Sequence, residues 1–165
     1  ARPAGGGAGR PSKRYTAVAE LASGEFPVRS DDLVLSLLGK TLAMLPADQA
    51  QTIAEEVGQE YGRAMAAALT GSDLASGQRS LRSAMQSVAD ALTAHGFAAH
   101  AEKRNDQLRI INNHCPFGDV AIEHPVICAV DRGMVKGMLT ALYGDADVST
   151  AESLPQGDTF CSTIV

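Results

Sequence analysis

Hydrophobic spacing changes its period at Gly96, and that change sets what the chain can fold into. Before it, apolar residues recur every three or four positions, the spacing of one helix face. Leu33, Val34, Leu37, Leu38, Leu42 and Leu45 form the first such stripe, with Ser30 or Asp31 placed to cap it. Pro46 opens a second helix, at a position where its missing N–H costs nothing. Ile53, Val57, Tyr61, Ala64, Ala68 and Leu69 mark the side it should bury. Thr70 and Gly71 end it, and Ser72 or Asp73 caps a third helix carrying Leu74, Leu81, Met85, Val88 and Leu92, up to the stop at Gly96.

After Gly96 the apolar runs are short. Residues 97–103 and 107–112 read as strands joined by a tight turn at 104–106. A short helix should follow Pro116 and end before Pro125, and a longer one should cover residues 131–143. Residues 148–154 and 159–165 read as two more strands. The order predicts an α+β domain: long N-terminal helices packed with a small, mainly antiparallel sheet and two further helices. A chain of 165 residues is long enough for one such domain with its own core.

The packing must rest on alanine and leucine, because aromatic residues make up only 4% and tryptophan is absent. Nothing in the apolar pattern approaches the ~18 residues of a membrane-crossing run. The opening ARPAGGGAGRP has no signal-peptide character, so a cytoplasmic location is expected. Charge is split. Arg2, Arg10, Lys13 and Arg14 fall in the first 14 positions without an acid, whereas all 19 acids lie beyond them. An acidic body repels DNA, and the basic arm, through Arg10, Lys13 and Arg14, is the part that can lie near it.

The stretch NNHCPFGDVAIEHPVIC holds two of the three cysteines, Cys115 and Cys128, and two of the four histidines. Three cysteines cannot all pair within one chain, which disfavours a secreted disulfide scaffold. Cys161 lies in the last strand-like run, which brings it beside Cys115 if that strand pairs with residues 107–112. Thiolates with an imidazole suit tetrahedral zinc, with His124 as fourth ligand to Cys115, Cys128 and Cys161. An iron–sulfur cluster also accepts three thiolates but needs a further ligand: His124, Asp119, Glu123 or an outside group. No CxxC fixes two sulfurs in advance.

Against the metal stands the plain alternative of buried, inert thiols, for which Cys128 in VICAV is well placed. A reactive thiol at Cys115 would make a redox sensor. A nucleophilic set of Cys115, His124 and Asp119 is the enzymatic option, but no oxyanion hole or nucleophile motif accompanies it, so the chain is read as not an enzyme. GGGAG near the start lacks the strand before it and the GK[ST] after it that a phosphate loop requires.

Two segments together resemble a known family. GRPSKRYTA is similar to the end of a winged helix-turn-helix wing, through Gly9, Arg10, Pro11, Tyr15 and Thr16. The run from Leu108 to Cys161, with Asn-His-Cys-Pro-Phe, His-Pro-Val-Ile-Cys and the late Gly157 and Cys161, resembles the sensory half of ArsR- or DeoR-like bacterial regulators related to SufR. The resemblance implies that residues 1–16 are a basic linker and wing tail and residues 17–165 a sensory and dimerisation domain. It also implies a homodimer, DNA bound through a domain outside this sequence, and zinc or an iron–sulfur cluster as cofactor. A small-molecule effector in an apolar pocket between helices and sheet, lined by Leu, Met and Phe, is the alternative within that class.

Overall fold

The computed structural model of the protein describes residues 30–69 and 80–165. Helix α1 spans Ser30–Leu42, α2 Ala47–Leu69 and α3 Leu81–Ala94. A hairpin follows, β1 Ala99–Arg104 and β2 Gln107–Asn112, then α4 Gly118–Glu123, α5 Cys128–Leu142, β3 Ser149–Glu152 and β4 Cys161–Ile164. The expected basic arm with Arg10, Lys13 and Arg14, the boundary after residue 16 and the caps at Ser72 or Asp73 fall outside the described residues.

Helix α3 is capped by Ser80, whose Oγ accepts from the Ser83 N–H at 3.3 Å. It stops at Gly96, whose φ of +93° lets the Phe97 N–H turn back to the Leu92 carbonyl at 3.0 Å. The hairpin turns through Asn105 and Asp106, with φ of 50° and 63°, the pair of left-handed residues a two-residue turn demands. The sheet runs β1-β2-β4-β3 with every pairing antiparallel, which is the α+β architecture the spacing predicts. Asn112 at the end of β2 faces Cys161 at the start of β4. Arg109 on β2 reaches Glu152 on β3 at 3.2 Å, and the Ser162 hydroxyl donates to the same carboxylate.

Met85, Val88 and Leu92 of α3 meet Met138, Leu139 and Leu142 of α5 and Ile110 of β2 in one core. The other side of α5 lies against α2 in a crossing built from glycines: Gly58 and Gly62 on α2, Gly133 and Gly137 on α5. A Cβ on Gly58 would be driven into the Val130 carbonyl, and one on Gly62 into that of Met134. Gly133 and Gly137 meet the carbonyls of Glu55 and Gln59 in the same way. Small residues spaced four apart on both helices let the backbones approach directly. Arg132 closes one flank of the crossing with hydrogen bonds of 2.9 and 3.2 Å to Glu55. Burial works against the charge of Glu55, but the bonds and charge of Arg132, with Lys136 at 3.6 Å, outweigh it and hold its carboxyl below the usual range.

This crossing inverts the face expected of α2. Its buried residues are Ala50, Ala54, Gly58, Gly62, Met65 and Ala66, whereas Ile53, Val57 and Tyr61 are exposed. The α1 stripe is likewise mostly outward: Leu33, Val34, Leu37 and Leu38 are exposed and only Leu42 is buried. Size patterning misleads here because the close α2–α5 crossing is made by residues with almost no side chain.

Candidate functional site: a thiol-lined cavity and its cleft

Four segments converge at the open end of the sheet. Asn112 ends β2, and Cys161, its partner across the ladder, begins β4. Cys115 sits in the loop before α4, in a turn closed by the Gly118 N–H donating to the Cys115 carbonyl at 3.1 Å. Pro125 starts a 3-10 turn over Pro125–Ile127, and α5 continues from it at Cys128, three residues earlier than the spacing suggests. Cys128 and Asp131 are therefore three apart in the first turn of α5 and share a face. All five side chains line one cavity of about 20 Å³, closed on one side by Phe97 and Phe117. That volume holds roughly one water-sized group.

The polar atoms of this cavity are incompletely paired. Asn112 is 2% exposed, and its Nδ2 donates to Asp131 Oδ2 at 3.1 Å. Its Oδ1 and the Oδ1 of Asp131 are both buried without a hydrogen-bond partner. Burial pushes the Asp131 carboxyl up to about 6, against the opposing pull of the Asn112 bond and the Arg132 charge. Burial also pushes the Cys115 thiol up to about 11, although the Phe117 and Gly118 N–H groups favour its thiolate. Cys128 goes up to about 12, through burial and the neighbouring Cys161, Cys115 and Asp131. Cys161 is raised by burial too, though the Leu154 N–H donates to its Sγ at 3.4 Å. Folded protein should thus react with iodoacetamide at pH 8 far more slowly than unfolded protein, on the order of 100-fold at Cys115 from the loss of thiolate. Equal rates in the two states would show the thiols to be solvated.

An open cleft of about 370 Å³ lies next to this cavity. Cys128, Thr150 and Ser153 line both, so three small side chains form the wall between them. Gln51, Pro125, Val126, Arg132, Pro155 and Gln156 form much of the rest of the cleft, a mainly apolar surface with a few polar ends.

The sequence expectation of a metal centre is overturned here. Among the described residues, no three of His, Cys, Asp and Glu are placed to hold a metal ion. Cys115, Cys128 and Cys161 do reach one cavity as free thiols, but His124 does not join them. Its ring packs on α1 at Gly39, where a Cβ would strike it, and its Nε2 is buried without a partner. The zinc set therefore lacks its proposed fourth ligand, as does a cluster completed by His124. The same placement dismantles the catalytic set of Cys115, His124 and Asp119, since Asp119 is exposed on α4. The reactive thiol of a redox sensor is not favoured at Cys115 either, since burial pushes that thiol up to about 11. The apolar effector pocket between helices and sheet is filled by the core residues Met85, Leu92, Met138 and Leu139.

Nothing in their sequence context singles out Asn112 and Asp131, one ending a strand and the other starting a helix. The usable signal is the Cys128-to-Asp131 spacing, which becomes a shared helical face once α5 is known to start at Cys128.

A subunit 3 of the trafficking protein particle complex from Naegleria fowleri, solved covalently bound to palmitic acid, has a similar fold. The two are 17% identical with a TM-score of 0.55, over 82% of this chain and 93% of that one. No curated protein matches the sequence. Residues 33–165 match the family model described as methanogen output domain 1. That match replaces the resemblance to winged helix-turn-helix, SufR-related regulators, and with it the expected DNA partner, regulator homodimer and metal cofactor. Among the described residues, no helix is long and apolar enough to cross a membrane. The chain belongs to the methanogen output domain 1 family.

Proposed function

We propose that this domain is a non-catalytic binding module that takes a small organic molecule in the cleft beside Cys128. One observation carries the reading. The cleft shares a wall of small side chains with a cavity holding two unpaired, buried oxygens. Buried polar atoms are rarely left unpartnered, so these two call for a donor beyond those the surrounding side chains supply. A cleft of about 370 Å³ also falls within the roughly 300–1,000 Å³ range of small-molecule sites. Three reduced thiols accord with a cytoplasmic setting.

Gln51 tests this reading. It is exposed on α2 and borders the cleft, so Gln51→Trp fills the cleft without entering the core. Saturation-transfer NMR with small aromatic and alkyl fragments should give binding signals in the native protein that Gln51→Trp removes. Signals that persist in the variant would place binding elsewhere.

A further inference from the structure

The Asn112 and Asp131 oxygens also bear on what kind of head group the site takes, an inference that rests on the cleft being a ligand site. Both unpaired atoms are acceptors, and both line the same cavity. Asn112 spends one amide N–H on Asp131, and the two buried atoms of the pair left without a partner are both acceptors. The space beside them suits a single heavy atom with its hydrogens. Charge points the same way. Asp131 has Arg132 as its chain neighbour, whose charge favours the Asp131 carboxylate, but that guanidinium is paired with Glu55 on α2 and borders the outer cleft and not the inner cavity. The other charged group that acts on this end is Asp158, which raises the Cys161 thiol and takes the Ser153 N–H at 2.8 Å. The thiols are too weakly acidic to compete as anions. An anionic head would meet two lone-pair oxygens, one of them on a carboxylate, and a hydroxyl could satisfy only one acceptor.

We propose that the cavity receives the primary ammonium head of an amine, which donates to Asn112 Oδ1 and Asp131 Oδ1 while its apolar body lies in the outer cleft. The three side chains of the shared wall, Cys128, Thr150 and Ser153, are short enough for rotamer changes to admit an –NH3+ group. No bond is made or broken.

Titration calorimetry at pH 7.5 with n-hexylamine and n-hexanol separates this inference from the reading beneath it. The two probes share the body and differ in the head. Hexylamine should bind the native protein at least about tenfold more tightly than hexanol, the size of one charge-assisted hydrogen bond gained in a buried site. Asp131→Asn should remove that preference, and Gln51→Trp should abolish binding of both probes. Equal affinities for the two probes, both lost in Gln51→Trp, would overturn the amine head while sustaining the cleft. Heat from neither probe would overturn the cleft and the amine together. An amine preference that survives Asp131→Asn would also overturn the assignment, because the head would then be bound elsewhere.

Discussion

Asp131→Asn is expected to make the protein more stable at pH 7.5, by about 2 kcal/mol. The carboxyl is raised from its ordinary 3.8 to about 6 because burial disfavours its charge more than Asn112 and Arg132 favour it. Between these values the folded state holds more protons than the unfolded one. Stability therefore falls as pH rises from about 4 to 6 and stays lowered above that. Keeping the carboxylate charged in the folded protein costs roughly 3 kcal/mol, and the burial of the asparagine amide offsets part of the gain from removing it. The gain should vanish at pH 4, where Asp131 is protonated in the folded protein. Urea denaturation of both proteins across pH 4 to 8 checks this. A variant less stable at pH 7.5, or a gain that does not depend on pH, would mean that the carboxylate is well solvated or well paired. A residue that weakens its own fold while lining a cavity beside a cleft is the pattern of a site shaped for something other than stability.

Gly62→Ala is expected to lower stability by about 2–3 kcal/mol, roughly 10 °C in the melting temperature. The new methyl would collide with the Met134 carbonyl, and α2 would have to move from α5 along much of its length. Helix propensity alone predicts the opposite sign, a gain of about 1 kcal/mol from replacing glycine by alanine. Ala64→Gly, close by on the exposed side of α2, provides the control and should cost only that propensity. If Gly62→Ala stabilised the protein, the two helices could not be crossing backbone to backbone.

Elements are more legible than faces. Period and turn residues locate most of the described helices and strands, because those signals are local: Pro46 before α2, Gly96 after α3, Asn105 and Asp106 between β1 and β2, whereas the Ser80 cap of α3 and the start of α5 at Cys128 differ from the expected ones. Hydrophobic size as the mark of burial points to the wrong side of α2, since Gly58 and Gly62 are buried by virtue of having no side chain. At the site, the strand-like tail correctly brings Cys161 beside the end of β2. Nearness in sequence to Cys128 favours His124 as a ligand, but Pro125 intervenes and opens a new turn, and the imidazole faces α1 instead. Asp131 and Asn112 become a pair only through the packing of α5 beside the sheet, a contact across 19 positions that no local pattern encodes. The cysteines stand out by their chemistry, and the polar pair beside them has none that is visible in one dimension.

The binding and stability effects of Asp131 meet in one experiment. Melting temperatures of the native protein and Asp131→Asn are measured at pH 7.5, each with and without saturating n-hexylamine. A ligand that binds only the folded state raises its melting temperature by an amount that grows with its affinity. The native protein should start below the variant and be raised by the amine to meet or pass it, while the variant barely moves. Equal shifts in both proteins, or no shift in the native one, would contradict the assignment of Asn112 and Asp131 as the receiving end of an amine site.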